Sequence, residues 1–240
     1  MRIQIYKQVK PNNSFKSKNG FTLAEVLLVI TIIGVIASLT IPNLIADINK
    51  SILYNSFMVS SQTFFTASSE VYSDYENNIS GIFTSPEEIR DAYKTHLNII
   101  KSCNTGDSFG NCWHDNGMVF NLPNTLPVPF DNGPSLVLGN GMTILFATDP
   151  TMFSTNCNLN GVIEQCAEFY VDVNGYKKPN VFGRDVFQFY MTKNYVHLWG
   201  DELSHSLAGD VFCDPANDST GGWDGAACGA KITTAGKIYY

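Results

Sequence analysis

Glu25 is the residue whose placement asks most for a chemical explanation, because it is the one charge in residues 21–41, FTLAEVLLVITIIGVIASLTI. A carboxylate in such a run is expensive in hydrocarbon and calls for a cationic partner. A second group is the six cysteines, Cys103, Cys112, Cys157, Cys166, Cys213 and Cys228, all after residue 100 and with no CxxC spacing. On a translocated segment they point to disulfides rather than zinc. Six cysteines allow fifteen pairings; Cys103 with Cys112, Cys157 with Cys166 and Cys213 with Cys228 closes three short local loops and is the favoured set. Other patterns imitate sites. Gly106-Asp107-Ser108-Phe109-Gly110 fits the GxSxG nucleophile elbow but has no strand before it and no helix after it, so a loop closed by Cys103 and Cys112 is the preferred reading. Asp172-x-Asn174-Gly175 opens like a calcium loop, yet Lys177 stands where its glycine belongs and Gly183 where its closing acid belongs; a turn is expected. His96, His114, His197 and His205 are scattered without ligand or base spacing, and Trp113, Trp199 and Trp223 read as packing residues.

The element that positions Glu25 is a helix of 21 residues, which at about 1.5 Å per residue crosses a hydrocarbon core of about 30 Å. Residues 1–20 carry Arg2, Lys7, Lys10, Lys16 and Lys18 and no acid, which keeps them cytoplasmic and sends everything after residue 42 across the membrane. A secretory signal has its cleavage site after the apolar stretch. Here Gly20 precedes that stretch, so a cytoplasmic-side peptidase cutting at Gly20-Phe21 would remove only the basic leader. From residue 21 onward 10 Lys+Arg face 22 Asp+Glu, or −12, which argues against nucleic-acid binding through phosphate neutralisation. Only 15% of residues are charged, below the roughly 25% of soluble domains, and 240 residues suffice for one cored domain or two small ones.

Apolar residues at Ile45, Ile48, Ile52, Leu53, Phe57, Phe64, Val71, Tyr72 and Tyr75 predict that the helix continues to residue 75 with one face toward a globular head. Pro42 removes a backbone donor, so a kink or melted turn is expected near 38–42. Ser85-Pro86-Glu87-Glu88 is a capping box that opens a second helix, read as 86–101. Strand-like segments follow at 118–121, 135–138, 142–148, 162–173, 185–192 and 195–199, with hairpin turns at Asn140-Gly141 and Lys193-Asn194. The expected fold is α+β, a long N-terminal helix packed on an antiparallel sheet.

The junction Gly20-Phe21-Thr22-Leu23-x-Glu25, joined to an apolar helix of this length, resembles the type IV pilin-like superfamily, which includes pilins, minor pilins and the pseudopilins of type II secretion. The resemblance implies cleavage by prepilin peptidase after Gly20, N-methylation of Phe21, an assembly role for Glu25 as the fifth mature residue, and a helix-softening role for Pro42. It divides the chain into a leader (1–20), a transmembrane and assembly helix (21–42), a helical part of the head (43–101) and a disulfide-containing β-rich head (102–240). Cleavage would create an amine on Phe21 about a turn from its own Glu25, so a neighbouring subunit's amine is the better-directed partner. Such a contact is worth roughly 4 kcal/mol at 4 Å before desolvation.

Segments 169–187, 228–232 and 236–240 are also similar to minor pilins and pseudopilins. Together these imply a structural subunit, not an enzyme: a minor pseudopilin or pilin of a type II secretion pseudopilus or type IV pilus-like filament. The alternatives are a minor pilin for adhesion, motility or DNA uptake, and, more distantly, an anchored extracytoplasmic enzyme resting on Ser108. Related pseudopilins hold calcium in C-terminal loops, which makes Asp214, Asp218 and Asp224 the calcium candidates; an acidic solvated loop is preferred, and no other cofactor is expected. The implied partners are other pilin or pseudopilin subunits, prepilin peptidase, the inner-membrane assembly platform and the membrane, with no nucleic acid. The implied place is the inner membrane, single-pass, with the head in the periplasm or on a filament.

Overall fold

The computed structural model describes residues 20–115, 118–120, 127–129, 131–160, 163–201, 212–214 and 225–238. The leader cations Arg2, Lys7, Lys10, Lys16 and Lys18, and Asn121, Val162, His205, Asp218, Trp223, Asp224, Tyr239 and Tyr240, lie outside the described residues. The chain divides into two compact units that meet at Ala46 and Asp47. Helix α1, Leu23–Asp74, contributes to both.

In the first unit the apolar side chains of α1 are exposed around the whole helix, from Leu23 at 78% to Val26 at 47%. The helix runs through residues 38–42 with Pro42 inside it, which corrects the expected melted turn. Proline at 42 removes one donor, and one missing bond in a long ladder leaves the neighbouring turns intact.

The second unit is built on the remainder of α1, whose buried face is Leu53, Phe57, Ser60, Ser61, Phe64, Ala67, Ser68, Val71 and Tyr72. These positions recur every three or four residues, the spacing of one helix face. Ile48 and Ile52, expected on that face, are about half exposed (49% and 54%). The face lies on a six-stranded antiparallel sheet. Its strands are β1 (Ile99–Cys103), β4 (Ser135–Leu138), β5 (Thr143–Phe146), β8 (Ala167–Asp172), β9 (Val186–Met191) and β10 (Val196–Leu198), and they stand in the order β1-β4-β5-β8-β9-β10. Two short pairs complete the described strands, β2 (Met118–Phe120) with β3 (Pro127–Pro129) and β6 (Leu159–Asn160) with β7 (Ile163–Glu164). In β8 and β9 every residue is buried, so both faces of the central sheet are covered. The inner face meets α1: Phe64 stacks on Tyr93 at 5.3 Å and meets Phe169 and Phe189 edge-on at 5.2 and 4.9 Å, and Phe57 lies 4.2 Å from Phe187. The outer face carries Tyr170 and Val186 under Trp113 and Phe182.

Helix α2, Pro86–Lys94, begins as its capping box requires, with the Ser85 hydroxyl accepting from the Glu88 amide and the Glu88 carboxylate accepting from the Thr84 amide. It ends at Lys94, not at 101. Leu97 and Ile100 keep a helical spacing, but Ile99–Cys103 forms edge strand β1 against β4, where the β-branched pair Ile99-Ile100 suits an extended backbone. Residues 163–173 divide into β7 and β8 at Gln165 and Cys166, because Cys166 is tied by its disulfide to Cys157. A short helix α3, Cys228–Ala235, closes at Gly236 in the left-handed region (φ 68°).

Candidate functional site

The residues that carry the N-terminal chemistry are exposed. Nothing lies within 4 Å of where a Cβ on Gly20 would sit, and Phe21 is 88% exposed. Immediately after them, Glu25 closes a reciprocal cap on α1. Its Oε2 accepts from the Thr22 amide and the Thr22 hydroxyl, both at 2.8 Å, and the Thr22 hydroxyl accepts from the Glu25 amide at 3.3 Å. Two amides that begin the helix without intrahelical partners are thereby satisfied. Glu25 therefore has an intrachain partner one residue from Phe21, and an amine created at Phe21 would arise next to a carboxylate already held by its own chain. A neighbouring subunit's amine competes with that arrangement instead of meeting an orphaned charge. The signal for the cap is the Thr22-x-x-Glu25 spacing.

The cysteines close three local loops, Cys103 to Cys112, Cys157 to Cys166 and Cys213 to Cys228. The last ties the segment before α3 to its first residue. Gly183, at φ 76°, packs so tightly there that a Cβ would lie 2.7 Å from the Cys228 sulfur.

Ser108 is not placed as a nucleophile. It is fully buried, its hydroxyl donates to the Gly133 carbonyl at 2.5 Å and accepts from Ser135 at 2.6 Å. No histidine reaches it among the described hydrogen bonds.

The Asp172-x-Asn174-Gly175 segment is an Asx turn, with the Asn174 amide donating to Asp172 Oδ1 at 2.9 Å. Gly175 approaches the Gly141 carbonyl so closely that a Cβ would sit 2.3 Å from it. Asp172 faces His114, Nε2 to Oδ2 2.8 Å, with both side chains nearly fully buried. Burial pushes the Asp172 carboxyl up to about 7 while His114 pulls it back. Its neighbour Asp185 is also raised by burial, and accepts from the Asn180 and Val181 amides (2.8 and 2.7 Å) and the Asn174 side-chain amide (3.1 Å). These bonds fasten the loop between β8 and β9 to the sheet. Glu168 is a second buried carboxyl, pushed up to about 7 by burial and held by Gln165 and Tyr170.

The other described histidines are structural as well. His96 joins Glu70 at 3.2 Å and Asp74 at 2.7 Å, which ties the end of α2 to α1. His197 meets Asp201 at 2.6 Å and stacks on Tyr190. Of the three candidate calcium ligands only Asp214 is described. Among the described residues no three His, Cys, Asp or Glu side chains come together as a metal site.

Gly20, Phe21 and Glu25 thus stand at the exposed start of an apolar helix, and the buried carboxyls of the head, Glu168, Asp172 and Asp185, are bonded internally. This is an α+β, pilin-like architecture with a long apolar N-terminal helix, consistent with membrane anchoring. Residues 15–41 match the prokaryotic N-terminal methylation motif, the signature of the type IV pilin family, and the motif indicates pilin- or pseudopilin-like processing. No curated protein and no solved structure is significantly similar to the chain.

Proposed function

We propose that the chain is a structural subunit of a type II secretion pseudopilus or a type IV pilus-like filament. It is made as a prepilin, cut after Gly20 by prepilin peptidase, methylated on Phe21, and assembled with other pilin-type subunits through residues 21 to about 55, with its head on the periplasmic side. The observation that carries this reading is the methylation motif at residues 15–41, which runs into the first part of α1, where the large apolar side chains are exposed around the helix. Such a surface needs lipid or other helices around it. The likeness of segments 169–187, 228–232 and 236–240 to minor pilins and pseudopilins favours a minor subunit or pseudopilin over a major pilin. No cofactor enters the reading, and the buried, hydrogen-bonded Ser108 counts against the anchored-enzyme alternative.

Gly20→Ala tests it. The variant is expected to insert in the membrane, to keep its basic leader on an anti-leader immunoblot, and to be missing from the sheared filament fraction. A variant that assembles with its leader attached contradicts the proposal. Wild-type chain in sheared surface fibres would favour the minor-pilin branch; loss of export on deletion, without surface fibres, would favour the pseudopilin.

A further inference from the structure

Beside its buried face, the start of α1 in the second unit presents a polar one. Asp47, Lys50, Ser51, Tyr54 and Asn55 recur at the spacing of one helix side over two turns. The facing wall is the last described segment of the chain. Helix α3 packs against α1 and β9 through Gly229, where a Cβ would lie 3.7 Å from the Phe57 ring and 3.5 Å from Phe187. Gly236, at φ 68°, then turns the backbone out of the helix. Ile238 is buried in the core, and Lys237 between them stays exposed. Together the two walls bound an open cleft of about 580 Å³, within the roughly 300–1,000 Å³ of small-ligand sites.

The charges in this cleft do not neutralise each other. Asp47 and Lys50 are exposed and one turn apart, and among the described residues neither makes an ion pair, whereas Arg90, Lys94 and Lys193 all do. Lys237 adds a second cation from the facing wall. Residues three apart on a helix have Cβ atoms about 5–6 Å apart, so positive and negative charge stand at the spacing of one small group that carries both. Apolar surface adjoins them: Ile48 and Ile52, in the same two turns, are 49% and 54% exposed. Asp47 comes six residues after the apolar run of 21–41, a rise of about 9 Å along the helix. A headgroup layer extends about 5–8 Å beyond the hydrocarbon, and a lysine can reach along apolar surface to its polar edge.

We propose that this cleft binds the headgroup of a phospholipid that carries both a phosphate and an amine, as phosphoethanolamine does. Lys50 and Lys237 hold the phosphate, Asp47 holds the ammonium, and Ile48 and Ile52 lie against the glycerol and the first methylenes. The inference rests on the chain being anchored through residues 21–41. The mixed charge selects the ligand. A phosphate with no amine meets the Asp47 carboxylate unfavourably, and an amine with no phosphate meets two lysines. Lysine serves phosphate as a point charge and needs no fixed fork of donors. A soluble phosphoester would satisfy the same charges but leave Ile48 and Ile52 in water. A bound headgroup ties the base of the head to the bilayer by polar contacts, and a subunit that leaves the bilayer for a filament must release it.

The test uses the full-length chain in vesicles of equal phosphatidylethanolamine and phosphatidylglycerol. One lipid or the other carries a photoreactive diazirine on the first methylenes of a chain, which leaves its headgroup intact, and adducts are mapped by mass spectrometry. Lipids that merely surround the apolar run have no reason to mark residues 236–238, so adducts there report the cleft. They are expected from labelled phosphatidylethanolamine in clear excess over phosphatidylglycerol, and to fall about tenfold in the K50E/K237E variant, which loses charge-assisted bonds. Asp47→Asn should remove the preference between the two lipids without lowering the phosphatidylglycerol adducts. K177E, at an exposed lysine outside the cleft, should change nothing, and equal melting temperatures show that the variant heads remain folded. Equal marking of 236–238 by both lipids in wild type overturns the recognition of an amine. Adducts confined to residues before 47 overturn the cleft and leave the anchored reading standing, whereas a chain that does not stay with the vesicles overturns both. Loss of the adducts on adding free glycerophosphoethanolamine at the concentration of the lipid overturns the lipid in favour of a soluble phosphoester.

Discussion

Phe21 and Phe64 stand for the two units. In the first unit Phe21 is 88% exposed and the apolar side chains of α1 beyond it are about half exposed or more. In the second, Phe64 is fully buried among Tyr93, Phe169 and Phe189. The carboxylates repeat the contrast. Glu25 is held by a single residue, Thr22, three positions away, whereas Asp185 is held by three donors and Asp172 by a histidine 58 positions away in sequence. The second unit covers most of its large apolar side chains and bonds its buried carboxyls from within. Among its described residues the first unit has no second element over α1, and lipid or other helices are what such an apolar surface calls for. The described polar contacts of the first unit are therefore local, whereas those of the second join elements distant in sequence.

Substitutions at the two ends of this contrast should separate cleanly. Phe64→Ala is expected to destabilise the second unit by about 4 kcal/mol, the cost of emptying a fully buried aromatic site, while cleavage after Gly20 proceeds as in wild type; denaturant unfolding and N-terminal mass read the two effects separately. If cleavage failed too, the units would not be independent.

A smaller effect is expected at Glu168. Its folded pKa, about 7, lies above its ordinary 4.5, so its contribution to stability is fully present below about 4.5 and is lost as the pH rises through about 7. Glu168→Gln should stabilise the second unit at pH 8 by about 2 kcal/mol, since the amide keeps the shape without the buried charge. It should flatten, without abolishing, the pH dependence of the melting temperature, because Asp172 and Asp185 are raised in the same direction. A melting temperature that rises from pH 5 to pH 8 in wild type would contradict the assignment.

The smallest effect on the head is expected at Glu25. Glu25→Ala should change the second unit's stability by less than about 0.5 kcal/mol, and leave processing in place, while the chain drops out of the sheared assembled fraction. Filaments that form normally would mean that the Thr22 cap exhausts the role of this acid.

The same contrast explains what can be read from the sequence. Gly20, Phe21 and Glu25 lie within six residues and the apolar run is continuous, so the methylation motif and the long helix are legible directly. The strands β4, β9 and β10 and the Ser85 cap are local patterns and are legible too. The Thr22-x-x-Glu25 cap is equally local, yet a lone acid in an apolar run draws attention to its charge before its hydrogen bonds. The end of α2 is misleading because Leu97 and Ile100 keep a helical period while β4 claims Ile99–Cys103 as an edge strand. Strand β8 is harder still: alternation would turn Glu168, Tyr170 and Asp172 to solvent, and only the distant Trp113 and Phe182 reveal that the outer face is covered.

The central claim is that this chain becomes functional by losing its leader at Gly20 and beginning at Phe21. Intact-mass analysis with N-terminal sequencing of the protein extracted from its native membrane tests this most directly. The account predicts a chain that starts at methylated Phe21, with six cysteines oxidised in three disulfides. A working protein that still begins at Met1 would contradict it.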